Sequence, residues 1–380
     1  MRRLLLLTFV LIVYGSLYPW HFEFSGSPRH PLLVLLDSWP VVWDRFALRD
    51  ALLNVLLYFP LGAAACCVLA RRFPGTLAFA PAVITGLALS VAMELLQVYT
   101  PGRVCSLFDV VCNTAGTAAG AAAALGFGLV KSRHRGPVRV AAFGAWLLLI
   151  AFAAYQLYPF FPAVSQSHLH LVWEQLQAPF SWLETWCCGA EWWAAMLLAS
   201  VALESTTAVL RRLPPPIVLL CLPLRSVVAT RTLALHEIAG GALAGLLWLV
   251  ARGRHRWRIG IGLMAIALLL RELSPFHFST APSAFNWIPF QPSLESERLS
   301  ALVILCRKTF DYGAMVWLLV ECGLSYLRSG IVVGASLLVL EAVQRYLPGR
   351  TPETTDAVLA SLMTLILWTL RNFERRRGLA

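Results

Sequence analysis

The sequence predicts an all-α, polytopic integral membrane protein of about twelve transmembrane helices, built from parallel internal repeats of a four-helix unit. Three observations carry this. Residues of hydrophobic type make up 58% of the chain and charged ones only 13%, where a soluble domain keeps roughly a quarter charged. The basic residues fall in short clusters between apolar runs, not on one face. And one spaced polar pattern occurs twice.

The spans read from the apolar runs are roughly 3–20, 50–70, 76–99, 107–130, 138–158, 191–210, 216–230, 232–251, 257–272, 300–325, 329–346 and 355–370. A crossing takes about 20 predominantly apolar residues, and lipid offers the backbone no partner, so each must be a helix. The first follows Arg2-Arg3 and resembles a signal peptide. No small-x-small cleavage site precedes Tyr18-Pro19-Trp20, so it reads as a retained span. The seventh is the shortest, holds Pro223 and Arg225 and follows Pro214-Pro215-Pro216. A half-helix or re-entrant form is open there, as is a crossing.

Arg2-Arg3, Arg71-Arg72, Lys131 to Arg139, Arg211-Arg212, Arg252 to Arg258 and Arg371 to Arg377 fall in alternate connections. The positive-inside rule makes that side cytoplasmic, with both termini on it. The loops 21–49, 159–190 and 273–299 then lie outside. The net charge of +11 thus reads as topology, and no nucleic-acid partner is expected. The nine cysteines form no zinc spacing or disulfide framework. His168-Leu169-His170 reads as polar surface, and no metal or cofactor is expected.

Tyr18-Pro19-Trp20, Tyr158-Pro159-Phe160 and Ser274-Pro275-Phe276 end three of the spans. Glu94, Gln97, Tyr99, Pro101, Gly102, Arg103 and Asp109 recur 247 residues later as Glu341, Gln344, Tyr346, Pro348, Gly349, Arg350 and Asp356. The expected division is three four-span units, 1–131, 132–255 and 256–380, the middle one worn down. An even number of spans per unit makes the repeats parallel, unlike inverted transporter repeats.

In the first unit Asp50 and Asn54 lie a turn apart at the start of the second span. Glu94 and Gln97 share a face near the end of the third. Arg103 sits in the Pro101-Gly102 turn, and Asp109 and Asn113 share a face of the fourth. Gly116 and Gly120 continue that face as G-x-x-x-G, which admits a close neighbouring helix. Ser106 is placed to cap the same helix. The candidate ligand-binding residues are therefore Asn54, Glu94, Gln97, Arg103, Asp109 and Asn113, with Glu341, Gln344, Arg350 and Asp356 as second-copy equivalents. Two readings stand side by side: an ion network that fixes the turn, or a pocket for a polar headgroup, since intramembrane ionisable residues are rarely idle. The 256–380 unit adds Arg307, Lys308 and Asp311, with Lys308 in reach of Glu341. Arg225, Arg231, His236 and Glu237 are the remnants in the middle unit.

Asn54-Val-Leu-Leu-Tyr-Phe-Pro60-Leu-Gly62, Glu94-Leu-Leu-Gln97, Gly102-Arg103 and Asp109-Val-Val-Cys-Asn113-Thr-Ala-Gly116 resemble the VanZ-like family. The resemblance covers about residues 1–130, with a divergent copy over 257–371. It implies a four-helix membrane unit of the bacterial envelope, and hence the cytoplasmic (inner) membrane. The family takes its name from an accessory gene of glycopeptide antibiotic resistance; it implies no particular reaction. The expected role is accessory: an outer-leaflet pocket for an anionic lipid or lipid-linked glycan, in company with envelope-biogenesis proteins. Arg103 would face phosphate or carboxylate, which its planar fork suits. The alternatives are an enzyme on a lipid-linked substrate, with Glu94 or Asp109 as base, and a lipid or solute transporter. No Ser/His/Asp order, metal motif or nucleotide loop favours the enzyme.

Overall fold

The computed structural model describes residues 1–24, 30–39, 45–73, 75–126, 130, 142–158, 165–204, 214–228, 232–291, 294 and 298–376. Among them every regular element is helical, and the β-bridge of Asn286 with Glu353 is isolated. Lys131 to Arg139, Pro159-Phe160, Arg211-Arg212 and Arg231 lie outside the described residues. The chain forms two compact units, Met1–Val138 and Arg139–Ala380.

The first unit holds α1 (Arg2–Ser16), a short α2 (Pro31–Leu36), α3 (Arg45–Leu69), α4 (Phe79–Gln97) and α5 (Leu107–Gly126). Helices α3 and α5 run backbone against backbone. A Cβ on Gly116 would press on the Val55 carbonyl, one on Gly120 on that of Phe59, and one on Gly62 on that of Thr117. The expected G-x-x-x-G contact is thus a real one. It lets polar side chains at the start of α5 reach both α3 and α4.

The second unit holds α6 (Phe143–Leu157), α7 (Gln166–Leu176), α8 (Trp182–Glu204), a 3-10 turn Pro215–Leu220 running into α9 (Cys221–Arg225), and α10 (Leu235–Val250). It continues with α11 (Arg254–Leu273), α12 (Arg298–Glu321), α13 (Tyr326–Gln344) and α14 (Thr355–Arg376). Residues of both the expected middle and last units share one hydrophobic core. Phe152 joins them: its ring meets Trp192 of α8 at 4.8 Å and Phe310 of α12 at 4.6 Å.

Among the described residues four helical segments are long and apolar enough to cross a membrane: Asp50–Leu69, Thr76–Gln97, Trp182–Glu204 and Tyr326–Gln344. Six of the other expected spans fall short of that measure for definable reasons. Helices α1 and α6 have 15 residues each and α10 has 16, against about 20 for a straight crossing. Helix α11 opens on Arg254-His255-Arg256 and ends near Arg271-Glu272, and α12 carries Arg307, Lys308 and Asp311. The expected seventh span takes the short form, a 3-10 turn of six residues and a helix of five. Two helices also stand where only loops were expected. His30 caps α2, with Pro31 in its first turn, and Ser165 caps α7 by accepting from the His168 N–H at 3.1 Å.

Candidate functional site

In the first unit the polar residues gather where α4 turns into α5. The Arg103 N–H donates to the Thr100 carbonyl at 3.1 Å, and Gly102 takes φ +79°, a left-handed conformation that side chains resist. This turn carries Arg103 to the end of α1. There its Nε donates to the Tyr18 carbonyl at 3.0 Å and its Nη2 to the Gly15 carbonyl at 3.1 Å. Gln97 Nε2 donates to the Ser16 carbonyl at 2.9 Å. A helix leaves its last carbonyls without intrahelical partners. Arg103 and Gln97 therefore serve as a clasp on the end of α1.

Glu94 faces the other way. It is 3% exposed, and its Oε2 accepts from the Ser106 N–H at 2.8 Å. Ser106 caps α5 as expected, its Oγ accepting from the Asp109 N–H at 3.2 Å. Negative side chains at this end also suit the helix dipole. Cys105, in the connection between α4 and α5, is buried; burial, with Glu94 and Asp109 adding to it, pushes its thiol up to about 11. It is therefore a thiol and not a nucleophilic thiolate near neutral pH.

One turn deeper, Asn113 Nδ2 donates to Ser90 Oγ at 2.9 Å. The fully buried Tyr58 of α3 lies beside Ser90 and within electrostatic range of Glu94 and Asp109. Asn113 is 5% exposed, and its Oδ1 has no hydrogen-bond partner among the described residues. Asn54 is half-buried, one turn before Tyr58. Of the six expected residues, Glu94, Gln97 and Arg103 thus form the frame. Asp109 and Asn113 line one face of α5, and Asn54 stands on α3.

The residues around Glu341 make corresponding bonds, with one change of acceptor at Gln344. Arg350 Nε donates to the Ser274 carbonyl at 3.1 Å, and its Nη2 to the Arg271 and Ser274 carbonyls, at the end of α11. Gln344 Nε2 donates to Glu272 Oε2 at 2.7 Å, and Glu341 Oε2 accepts from the Glu353 N–H at 2.8 Å. Gly349 has φ +79°, like Gly102. The Glu23 N–H donates to the Tyr99 carbonyl at 2.8 Å, and the Ser279 N–H to that of Tyr346 at 2.6 Å.

The filling differs. Lys308 Nζ pairs with Asp356 Oδ1, and Tyr312 Oη donates to Asp356 Oδ2 at 2.6 Å. This corrects the expected Lys308–Glu341 pair: Asp356 faces α12 from the first turn of α14, while Glu341 Oε2 is occupied by the Glu353 amide. The carboxylates of Glu272, Glu341 and Asp356 lie within 4.8 Å of one another, the described group best able to hold a cation. The Lys308 ammonium already stands against it. Beside them Arg271 forks between Glu191 at 2.6 Å and Asp311 at 2.8 Å.

Sequence reasoning missed Glu191, Arg271, Glu272 and Tyr312. A charge inside an otherwise apolar run marks the first three, but Tyr312 carries no such mark. In the expected middle unit, Arg225 pairs with Glu237 at 2.8 Å. His168 is buried on the Ser226 carbonyl at 3.0 Å, while His170 is exposed beside Glu174.

No curated protein matches this chain, and no solved structure does. The apolar helices and the family match below together describe a membrane protein. Residues 3–130, which hold the whole of the Arg103 clasp and the Asn113 layer beneath it, match the family model described as VanZ/LLP1.

Proposed function

We propose that this protein is a bacterial inner-membrane accessory protein of the cell envelope whose first unit holds the polar head of a lipid or lipid-linked glycan. The observation that carries the reading is the Asn113 layer. A buried amide oxygen without a partner costs free energy, and a ligand hydroxyl or amide N–H would recover it. Asn54, Asp109 and Asn113 would face the ligand, with Glu94 and Gln97 holding the frame around them. Arg103 bounds the site on the α1 side, where a ligand phosphate or carboxylate would find a guanidinium. In this reading all twelve expected segments are membrane-embedded, and both termini are cytoplasmic. The bonds shared between the Arg103 and Arg350 frames support a duplicated four-helix unit with a degenerate unit between them.

Native mass spectrometry of the full-length protein in detergent tests it. A discrete lipid or glycolipid adduct is expected on wild type and on Arg350→Ala. It should be lost in Asn113→Leu, with thermal stability retained. Adducts identical in wild type and a folded Asn113→Leu variant would remove the site, and the polar cluster would then be a structural network alone.

A further inference from the structure

Helix α7 stands in the segment 159–190, which carries no Lys or Arg. The helical repeat sorts its residues into three neighbouring strips. His168 and Val172 are buried against the rest of the unit, with His168 Nε2 3.0 Å from the Ser226 carbonyl. Leu169 and Trp173, 54% and 62% exposed, share the next strip with the half-buried Leu176. His170 and Glu174 lie beyond them, exposed and paired at 3.3 Å. Only residues 177–181 separate α7 from Trp182, where α8 begins, and α8 is long and apolar enough to cross a membrane. Fully extended, a link that short reaches no more than about 20 Å, so α7 stays near the end of that crossing. Phe180, Trp182 and Trp186 are exposed there as well, the first two with rings 4.8 Å apart.

We propose that α7 lies along the outer boundary between water and lipid, with Leu169, Trp173 and Leu176 seated in a neutral lipid surface and His170 and Glu174 turned to water. The proposal is independent of the headgroup site and needs only the crossing and orientation given to α8. Eleven residues rise about 16 Å, roughly half the hydrocarbon thickness, so α7 is too short to span and its apolar strip has to lie flat. Indole suits this depth, because its apolar body enters the acyl boundary while its N–H stays near water. Charge selects the kind of surface. The acids of 159–190 are Glu174 and Glu184, with no basic partner in the segment. Anionic headgroups therefore add no attraction, and apolar area with aromatic rings carries the attachment. Through His168 the seated helix also holds the end of α9, which ties that five-residue helix to the lipid boundary.

Nitroxide labels on the full-length protein in phosphatidylcholine vesicles test this, read by collision with lipid-soluble oxygen and a water-soluble nickel chelate. Cys322, the exposed one of the nine cysteines, is first replaced by Ser, and the signal of that parent is subtracted. Labels at Leu169→Cys and Trp173→Cys should sit about 5–10 Å into the headgroup–acyl boundary, and those at His170→Cys and Glu174→Cys in water. Val339→Cys serves as the reference, since Val339 is 63% exposed on the segment Tyr326–Gln344. A lipid signal at Val339 with water signals at Leu169 and Trp173 would overturn the placement of α7 and leave the membrane reading standing. Water signals at all five positions would remove both. Lipid signals at His170 and Glu174 too would overturn it, because the helix would then be immersed and not seated. Shielding of Leu169 and Trp173 from both reagents would assign the strip to a protein partner and overturn the lipid surface. Adding phosphatidylglycerol should leave the depths unchanged; insertion seen only with that lipid would overturn the neutral surface. If Trp173→Cys does not fold, Leu169→Cys against Glu174→Cys decides the same point.

Discussion

Around Glu94 the space between the second and fourth helices of the frame holds Asn54, Tyr58 and Asn113, and the two helices touch through Gly116 and Gly120. Around Glu341 the corresponding space holds Lys308, Tyr312 and Ala360, and Met363 and Leu367 stand where those glycines are. There Gly313 of α12 admits the neighbouring side chains instead, with Met363 and Leu148 against it. The hydrogen bonds that build the two frames join corresponding positions, except that Gln97 reaches a main-chain carbonyl and Gln344 a side-chain carboxylate. One frame is closed by an internal ion pair and bulky side chains, the other by backbone contact around a neutral layer. The difference lies in the filling, while the bonds that make each frame stand are kept in both.

The largest effect should come from unbalancing the internal charge. Asp356→Ala leaves the Lys308 ammonium buried and unpaired, at a cost of about 3–5 kcal/mol. Most of this should return in Lys308→Met/Asp356→Leu, read by thermal melting in detergent. If Asp109→Ala costs as much as Asp356→Ala, the two frames are filled alike and the contrast collapses. Next is the backbone contact. Gly120→Val has no room against the Phe59 carbonyl and should cost about 3 kcal/mol, the upper range of overpacking, since the obstacle is backbone. Leu367→Val at the corresponding place should cost only about 1 kcal/mol.

The clasps should behave alike. Arg103→Ala and Arg350→Ala each remove charge-assisted bonds to helix-end carbonyls, worth about 1.5–3 kcal/mol. Unequal losses measured by chemical denaturation would show that one clasp does more than hold the frame. The smallest effect is the cap, where Ser106→Ala should lower stability by about 1 kcal/mol.

Much of this was legible in the residues, for physical reasons that differ between positions. The frame could be read because its bonds join residues a few positions apart across one tight turn. The spacing of Glu94, Gln97, Gly102, Arg103 and Asp109 therefore survives intact at Glu341 to Asp356. The glycine contact could be read because a four-residue glycine spacing has one main use in a membrane helix. The direction in which Arg103 points could not, since its acceptors are carbonyls 85 and 88 residues away, and every residue has a carbonyl. Lys308 was credited to the wrong acid for a related reason, because Glu341 and Asp356 both lie within reach and only the fold shows which is occupied by an amide. Helices α2 and α7 are six and 11 residues long, too short to show a period.

The arginine clasp has a consequence for the order in which the chain is made. The acceptor at Tyr18 and the donor at Arg103 are separated by 85 residues, so the end of the first helix leaves the ribosome long before the side chain that completes it. Until α3 and α4 have been inserted, the Gly15 and Tyr18 carbonyls must be satisfied by water or by the insertion machinery. A chain truncated before residue 103 would keep that end open. The clasp can therefore close only once α1, α3 and α4 have all been made.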